Sequence, residues 1–298
     1  MLTRVARVLL TISMSLGLAS GCADRGDYPL LRESIDPSFK DKLNETLRAE
    51  FKDTRRHLVE KGKVSIVIVD ISDPHHPRVA EENGDVMLYA ASLPKIAILL
   101  GAYVEAEHGN LVIDDELRAS MTRMIRNSSN VDATAVLRKV GFARLAEILQ
   151  SDKYRLYDAE YGGGLWVGRE YGGALWQTDP INKITHGASA MQVARFYYLL
   201  VTNRLVSPQH TAEMLEMLSK PAIKHKFVKG LNEVNADADV YRKSGTWRNY
   251  HADSGIVETE HGKYIVVVIG EHSEGANDLV RFIKAVDAAM RPDSAVSK

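Results

Sequence analysis

Residues 240–270, VYRKSGTWRNYHADSGIVETEHGKYIVVVIG, contain three β-branched or alternating runs separated by short polar turns. Such runs predict strands, here at residues 240–247, 255–259 and 264–270. Two further apolar runs lie near the start of the chain, VSIVIV at 64–69 and VMLYAA at 86–91. We expect these five strands, from both ends of the chain, to form one antiparallel sheet.

Segments with apolar residues at helical spacing lie before, between and after these strands. It predicts a first helix over about 38–60 and a last helix over about 276–290. A mostly helical block over about 92–219 lies between the early and the late strands. The predicted fold class is therefore α/β (α+β): an antiparallel five-stranded sheet flanked by N- and C-terminal helices, with an inserted all-helical lobe. The predicted domain spans 38–292, and residues 293–298 form a tail.

The N-terminus has the order of a secretory signal, with arginines, an apolar stretch and then small residues before Cys22. Residues 1–21 are predicted to be the signal peptide. The run at 19–22, ASGC, resembles a bacterial lipobox, in which the cysteine is lipidated; an ordinary cleaved signal with an incidental cysteine is the alternative. We expect an exported lipoprotein, in the periplasm or at the cell surface, with residues 22–37 as lipidated cysteine and tether.

Composition and charge argue against a nucleic-acid binder, and the cysteine and histidine patterns argue against an internal disulfide and a metal site. The chain has 298 residues, 45% of them hydrophobic, and a formal net charge of −1. This balance lacks the basic surface of a nucleic-acid binder. Cys22 is the only cysteine, so no internal disulfide forms, and the ten histidines show no metal-ligand spacing. We expect no cofactor, no metal and a monomer.

Ser92-Leu93-Pro94-Lys95 is the first chemically informative motif, at the junction between a predicted strand and an apolar helix. Ser92 and Lys95, three residues apart, share one side of a helical turn. A lysine at the head of an apolar helix is costly to bury unless it is paired or its pKa is lowered, and a lysine with a lowered pKa beside a hydroxyl is a general base next to a nucleophile. Taken alone, such a pair is more often a helix cap and a solvated lysine.

Ser128 and Asn130 form the second motif, between two helical stretches. A hydroxyl and an amide two residues apart on a turn can both face a cleft, one to relay a proton and the other to hold a substrate amide. Taken alone, this sequence is most often a helix cap.

Lys243-Ser244-Gly245-Thr246 is the third motif, on a predicted strand. Gly245 permits the close approach of another backbone. Lys243 supplies a cation, and Ser244 or Thr246 a hydroxyl, for a substrate carboxylate. Taken alone, a solvated lysine beside a weak point in a strand is the simpler interpretation.

Together, the ordered motifs S-x-x-K, S-x-N and K-[ST]-G resemble those of class A β-lactamases and penicillin-binding proteins. The resemblance extends from about residue 63 to residue 290, including RNSSNVDATAVLRKVG and ASAMQVARFYYLLVTNRLVS. It implies that Ser92 forms an acyl-enzyme with a β-lactam or a D-alanyl-D-alanine peptide, with Lys95 assisting its deprotonation. By the same resemblance Ser128 passes a proton to the leaving nitrogen and Asn130 holds the substrate amide.

The resemblance further implies that Lys243, Ser244 and Thr246 face the substrate carboxylate. The backbone N–H groups of Ser92 and Thr246 would form the oxyanion hole.

The chain departs from the class A pattern in the loop that carries the deacylation base. The E-x-x-L-N element is absent, and YGGGLWVGREYGGALW stands in its place. Glu170 is the candidate base there, with an exposed loop glutamate as the alternative. We therefore expect a serine acyl-transfer hydrolase, a class A-like β-lactamase linked to antibiotic resistance.

Three alternatives remain at this stage. A D-alanyl-D-alanine carboxypeptidase would be trapped by penicillin instead of hydrolysing it. A serine-dependent glutaminase would release ammonia from glutamine. A non-catalytic lipoprotein that binds muropeptides or β-lactams would keep its activity without Ser92.

Overall fold

The computed structural model describes residues 28–51 and 56–291. Cys22, the predicted signal peptide and the C-terminal tail lie outside the described residues. The helices in this part of the chain are α1 Pro37–Phe51, α2 Arg56–Glu60, α3 Lys95–Glu107, α4 Asp115–Arg126, α5 Asn130–Val140, α6 Phe142–Gln150, α7 Ala190–Val201, α8 Pro208–Leu218, α9 Phe227–Val234 and α10 Gly275–Met290. The strands are β1 Val64–Asp70, β2 Arg78–Glu82, β3 Leu88–Tyr89, β4 Tyr157–Asp158, β5 Gly163–Gly164, β6 Trp166–Val167, β7 His186–Ala188, β8 Asp239–Trp247, β9 Tyr250–Thr259 and β10 Gly262–Glu271.

Five of these strands form the main sheet, in the order β2-β1-β10-β9-β8, with every neighbour antiparallel. The first and last thirds of the chain meet where β1 pairs with β10, Val67 opposite Val267. The predicted five-stranded sheet, flanked by terminal helices and carrying a helical lobe, is confirmed. Strand β8 lies at the edge and presents residues 243–246 beside the lobe.

The central strands are apolar on both faces, which explains their unbroken hydrophobic sequence. Along β1, Val67 and Val69 face the core shared with the lobe, while Ile68 faces a second core. That second core is covered by α1, α9 and α10. Alternate residues of one strand therefore join the sheet to both helical layers.

The second strand of the sheet is Arg78–Glu82, and the prediction of that strand at residues 86–91 was wrong. Leu88–Tyr89 instead pairs with His186–Ala188 in a separate three-stranded sheet. Strand β2 is an edge strand, so its charged residues stay partly exposed and no apolar run marks it in the sequence.

The helical lobe comprises α3 to α8, and α3 passes through its centre. Residues 95–105 of this helix are all buried. An apolar surface on every side is what a helix in the interior of a lobe requires. The buried helix fixes the position of Lys95, its first residue, and of the turn before it, where Ser92 lies.

The described part of the predicted tether, from Tyr28 onward, packs on the domain. The ring of Tyr28 stacks on His75 at 4.3 Å between centroids, and Leu31 is buried. Ile35 forms a bridge to Val79 of β2. In the described ranges, no helix combines the length and apolar character needed to cross a bilayer.

Candidate active site

The turn that leads into α3 brings the predicted nucleophile, Ser92, beside the predicted base, Lys95, which begins the helix. Nζ of Lys95 lies 3.1 Å from Oγ of Ser92. The Lys95 side chain is fully buried. Ala91, immediately before Ser92, has a φ of 51°, a backbone conformation that strains a residue with a Cβ. The chain therefore bends sharply where it presents the serine.

Lys95 is surrounded by neutral acceptors and contacts no carboxylate within the described ranges. Nζ lies 2.6 Å from the backbone oxygen of Ser128 and 2.8 Å from Oδ1 of Asn130. Burial without a counterion lowers the pKa of Lys95 to about 7. A neutral amine has two N–H groups and one lone pair, so these two oxygens accept its protons and the lone pair faces Ser92.

The turn between α4 and α5 supplies Ser128 and Asn130 from opposite sides of a helix cap. Oγ of Ser129 caps α5 by accepting a hydrogen bond from the Asp132 N–H at 3.2 Å. The neighbours on each side, Ser128 and Asn130, are thereby directed to Lys95. Ser128 has a φ of 56°, a second strained position, next to Lys95. Arg123 binds Asp132 and holds its pKa down, to about 2, which fixes the start of α5.

Strand β8 contributes Lys243 to the same group. Its Nζ donates to Oγ of Ser128 at 2.9 Å, and Nζ of Lys95 lies 3.4 Å from the same oxygen. Burial, with the charge of Lys95 second, lowers the pKa of Lys243 well below its usual range. The Ser128 hydroxyl thus connects the two lysines, which is the position a proton relay requires.

Gly245 is required by the approach of β8 to the backbone at Ser92. A Cβ at this position would lie 2.0 Å from the Ala90 oxygen and 2.9 Å from the Ser92 nitrogen. Only a residue without a side chain permits this contact. Ser244 lies beside His225, with Oγ 3.3 Å from Nε2, and Thr246 is exposed.

Glu170 is not brought together with the other predicted site residues. Its carboxylate accepts two hydrogen bonds from Arg138 of α5, at 2.6 and 2.9 Å, and the Arg138 guanidinium holds the pKa of Glu170 below its usual range. Within the described part of the chain it makes no hydrogen bond with Ser92 or Lys95. No contact with Ser92 or Lys95 therefore supports the predicted role of Glu170 as the deacylation base.

Tyr171 occupies the position over Lys95 instead. Nζ of Lys95 lies 4.4 Å from the centre of the Tyr171 ring, and the Tyr171 hydroxyl donates to the Ala91 oxygen at 3.2 Å. The ring also packs on His186, 4.3 Å between centroids. Tyr171 was not predicted, because the glycine-rich sequence YGGGLWVGREYGGALW does not show which side chain of the loop turns inward.

A second cluster behind β8 was also missed, since no motif marks it. Arg242 and Asp253 form a buried bidentate ion pair. Next to it lies Lys226, whose pKa burial lowers to about 8. Lys243 also lies within electrostatic reach of Arg242, Asp253 and Lys226, so the basic side chains of this cluster outnumber its single carboxylate, an arrangement that favours an anion.

The donors and acceptors of the site are amines, hydroxyls, an amide and backbone groups. Within residues 28–51 and 56–291, no group of three or more His, Cys, Asp or Glu side chains is arranged to hold a metal ion. The chemistry that these side chains can perform is proton transfer to and from a serine hydroxyl, followed by acyl transfer.

Comparison with protein families gives a match over residues 116–290 to the model described as the beta-lactamase enzyme family. No curated protein sequence matches the chain. The matched residues cover more than half of the chain and include the second and third motifs.

Solved structures resemble the chain in fold at low sequence identity. A beta-lactamase from Sphaerobacter thermophilus is 17% identical, with a TM-score of 0.65, over 84% of this chain and 97% of that one. The TLA-3 extended-spectrum beta-lactamase is 15% identical, with a TM-score of 0.66, over 85% of this chain and 100% of that one. The structure of PBP-A is 14% identical, with a TM-score of 0.62, over 88% of this chain and 98% of that one.

Proposed function

The chain belongs to the beta-lactamase enzyme family, and from that premise we propose that it is a serine acyl-transfer hydrolase whose Ser92 opens the amide of a β-lactam. The observation that carries the proposal is the pairing of Ser92 with Lys95. A buried amine with a pKa of about 7, 3.1 Å from the hydroxyl, is a general base matched to neutral pH.

Acylation follows from the contacts at the site. Lys95 takes the proton of the Ser92 hydroxyl as Oγ attacks the carbonyl carbon of the β-lactam. The negative charge on the carbonyl oxygen is stabilised by the backbone N–H groups of Ser92 and Thr246. The C–N bond of the ring then breaks, and Ser128 gives its proton to the leaving nitrogen while it recovers one from Lys95. The product is an ester at Ser92, with both lysines ready for the second step.

Substrate binding uses the remaining polar groups of the cleft. The oxygen of the Asn130 amide accepts from Lys95, so its nitrogen is the group left to donate to the substrate carbonyl. Lys243 and the hydroxyls of Ser244 and Thr246 bind the substrate carboxylate, which the surrounding buried cations attract.

Hydrolysis of the ester is the slow step in this proposal. Within the described residues no carboxylate is hydrogen-bonded to Ser92, Lys95 or Ser128. Glu170 is engaged by Arg138. A positioned base accelerates such a step by about 10²–10⁴-fold, so its absence lets the acyl-enzyme accumulate.

The test combines nitrocefin, which reports turnover, with a fluorescent penicillin, which reports covalent labelling. Wild type and Ser92→Ala are compared, with Ser219→Ala, a serine at the end of α8, as the matched control. We expect stoichiometric labelling and slow nitrocefin turnover in the wild type and Ser219→Ala, and neither in Ser92→Ala. Labelling that survives in Ser92→Ala would refute the proposal, and rapid turnover would refute slow hydrolysis.

A D-alanyl-D-alanine peptide is the second candidate substrate. The position of Tyr171 over Lys95 favours the peptide substrate. The ring fills the space beside Lys95 in which a carboxylate would activate the water that hydrolyses a β-lactam ester. Release of D-alanine from a D-alanyl-D-alanine peptide, dependent on Ser92, would establish this activity. If Ser92→Ala retained the biological activity, the protein would instead be a binding lipoprotein.

We also propose that the protein is exported and lipidated at Cys22. The support is the order of the N-terminal sequence, arginines, apolar stretch and small residues before the cysteine. Mass spectrometry of the N-terminal peptide from membranes should show a diacylated Cys22. A Cys22→Ser variant that stays in the membrane fraction would contradict the proposal.

A further inference from the structure

A cavity of about 350 Å³ lies behind the main sheet, between helices α1 and α2, the sheet and the first turns of α10. Its walls are mainly apolar, and the side chains that form them include Leu47, Leu58, Ile66, Val268, Leu279 and Phe282. This volume falls within the range of small-molecule sites, which are typically apolar with a few polar groups that orient the ligand. The cavity is therefore large enough for a small bicyclic molecule, and its polar groups decide which kind.

His251 of β9 lies in the wall of this cavity, on the face of the sheet that is turned away from the helical lobe. Along β9, Ala252 and Ile256 belong to the core shared with the lobe, whereas Val257 belongs to the second core. Because side chains alternate along a strand, His251 faces the same side as Val257. The cavity and the lobe that carries Ser92 therefore lie on opposite faces of the sheet.

The Nδ1 atom of His251 is a buried polar atom without a partner. The residue is 8% exposed, and within the described residues Nδ1 makes no hydrogen bond. The Cδ2 edge of the ring packs on the first residue of α10, since a Cβ at Gly275 would lie 2.8 Å from Cδ2. Nδ1 is on the other edge of the imidazole, so it is directed away from Gly275 and towards the cavity. A buried polar atom of this kind is unfavourable unless a group in the cavity forms a hydrogen bond with it.

The charged residues that line the cavity disfavour an anionic ligand. The carboxylates among the described lining residues are Glu60, Glu82 and Asp278. The guanidinium among them belongs to Arg48, which is exposed to solvent. Burial lowers the pKa of His251, so its imidazole is neutral at neutral pH and adds no positive charge. A ligand carboxylate would lose its water in this apolar interior without a lining cation to replace it, so the ligand that fits is uncharged.

We propose that this cavity is a second binding site, for an uncharged and mainly apolar small molecule that forms a hydrogen bond with Nδ1 of His251. In its Nε2–H tautomer the imidazole accepts from a hydroxyl or N–H group of the ligand. The rings of the ligand then pack against Leu47, Leu279 and Phe282. Burial of apolar surface supplies the affinity, and the imidazole supplies the orientation. The site does not depend on acyl transfer at Ser92, since it lies on the other face of the sheet.

The test compares β-naphthol with β-methylnaphthalene, which has nearly the same shape but no hydroxyl. Dissociation constants are measured by fluorescence titration in wild type and in His251→Phe, which keeps an aromatic ring and removes the nitrogen. We expect both compounds to bind the wild type, and His251→Phe to reduce the preference for β-naphthol by about threefold to tenfold. The anion β-naphthoate should bind the wild type at least about tenfold more weakly than β-naphthol.

Leu47→Trp tests the location of the site by a second route, because the larger side chain fills the cavity from α1. It should weaken the binding of both neutral compounds by about tenfold or more. The matched control is Val234→Trp, at an exposed position outside the cavity lining, which should leave both dissociation constants unchanged. Circular dichroism and thermal unfolding show whether each variant is folded.

Three results would overturn the proposal: no binding to the wild type, the same preference for β-naphthol in His251→Phe, or unchanged binding in Leu47→Trp. Tighter binding of β-naphthoate than of β-naphthol would overturn the assignment of an uncharged ligand. None of these measurements depends on whether a penicillin labels Ser92, so failure of this proposal and failure of the proposed function are distinguishable.

Discussion

The ionisation of Lys95 sets the pH dependence of acylation, and its magnitude follows from the structure. With a pKa of about 7, Lys95 is neutral in about 90% of molecules at pH 8 and about 10% at pH 6. Only the neutral amine can take the Ser92 proton. Burial lowers this pKa, so the active fraction rises with pH, and the acylation rate should increase about tenfold from pH 6 to pH 8 and level off above it.

The assay is the second-order rate constant for labelling by a fluorescent penicillin, measured from about pH 5.5 to about pH 9. This constant reports the ionisations of the free enzyme. The methyl ester of the same penicillin is the control, because it removes effects of pH on carboxylate binding by Lys243. A profile that still rises steeply between pH 8 and pH 9 would show that Lys95 keeps its ordinary pKa, and a flat profile would show that its ionisation does not govern acylation; either result would refute the reasoning.

Three further predictions concern the loop over the site and the approach of β8. Glu170→Gln should leave the lifetime of the acyl-enzyme within about twofold, because Arg138 binds the carboxylate; a large increase in lifetime would restore Glu170 as the base. Tyr171→Glu should place a carboxylate beside Lys95 and shorten that lifetime by about 10²–10⁴-fold, measured as recovery of free enzyme; an unchanged lifetime would contradict it. Gly245→Ala should destabilise the fold by about 1–3 kcal/mol in urea unfolding and slow acylation sharply, whereas wild-type stability would show that β8 does not need the glycine.

The proximity of Ser92 to Lys95, and of Ser128 to Asn130, could be predicted from the sequence because each motif occupies a junction with a definite local geometry. Ser92 lies in the turn that leads into a buried helix beginning at Lys95, and Ser128 and Asn130 flank a cap. These local constraints do not depend on the rest of the fold. The assembly of the three motifs around Lys95 depends on the sheet, and apolar runs in the sequence predicted its central strands.

Features set by long-range contacts were not predicted. Strand β2 is stabilised by pairing with β1 at the sheet edge, so its polar sequence gives no periodic signal. Helix α9 was missed, and with it the buried Lys226, whose hydrogen bonds reach two strands 19 and 26 residues away. In the glycine-rich loop the sequence offered Glu170 as the inward residue, whereas the loop turns Tyr171 inward and Glu170 towards Arg138.

The measurement that most directly tests the central claim is intact mass spectrometry after exposure to benzylpenicillin, followed by mapping of the modified peptide. The account predicts a mass increase equal to one whole penicillin molecule, since ring opening releases no atoms. It also predicts that the adduct lies on Ser92, persists while free penicillin is present, and is absent from Ser92→Ala. No adduct, or an adduct on another residue, would contradict the account.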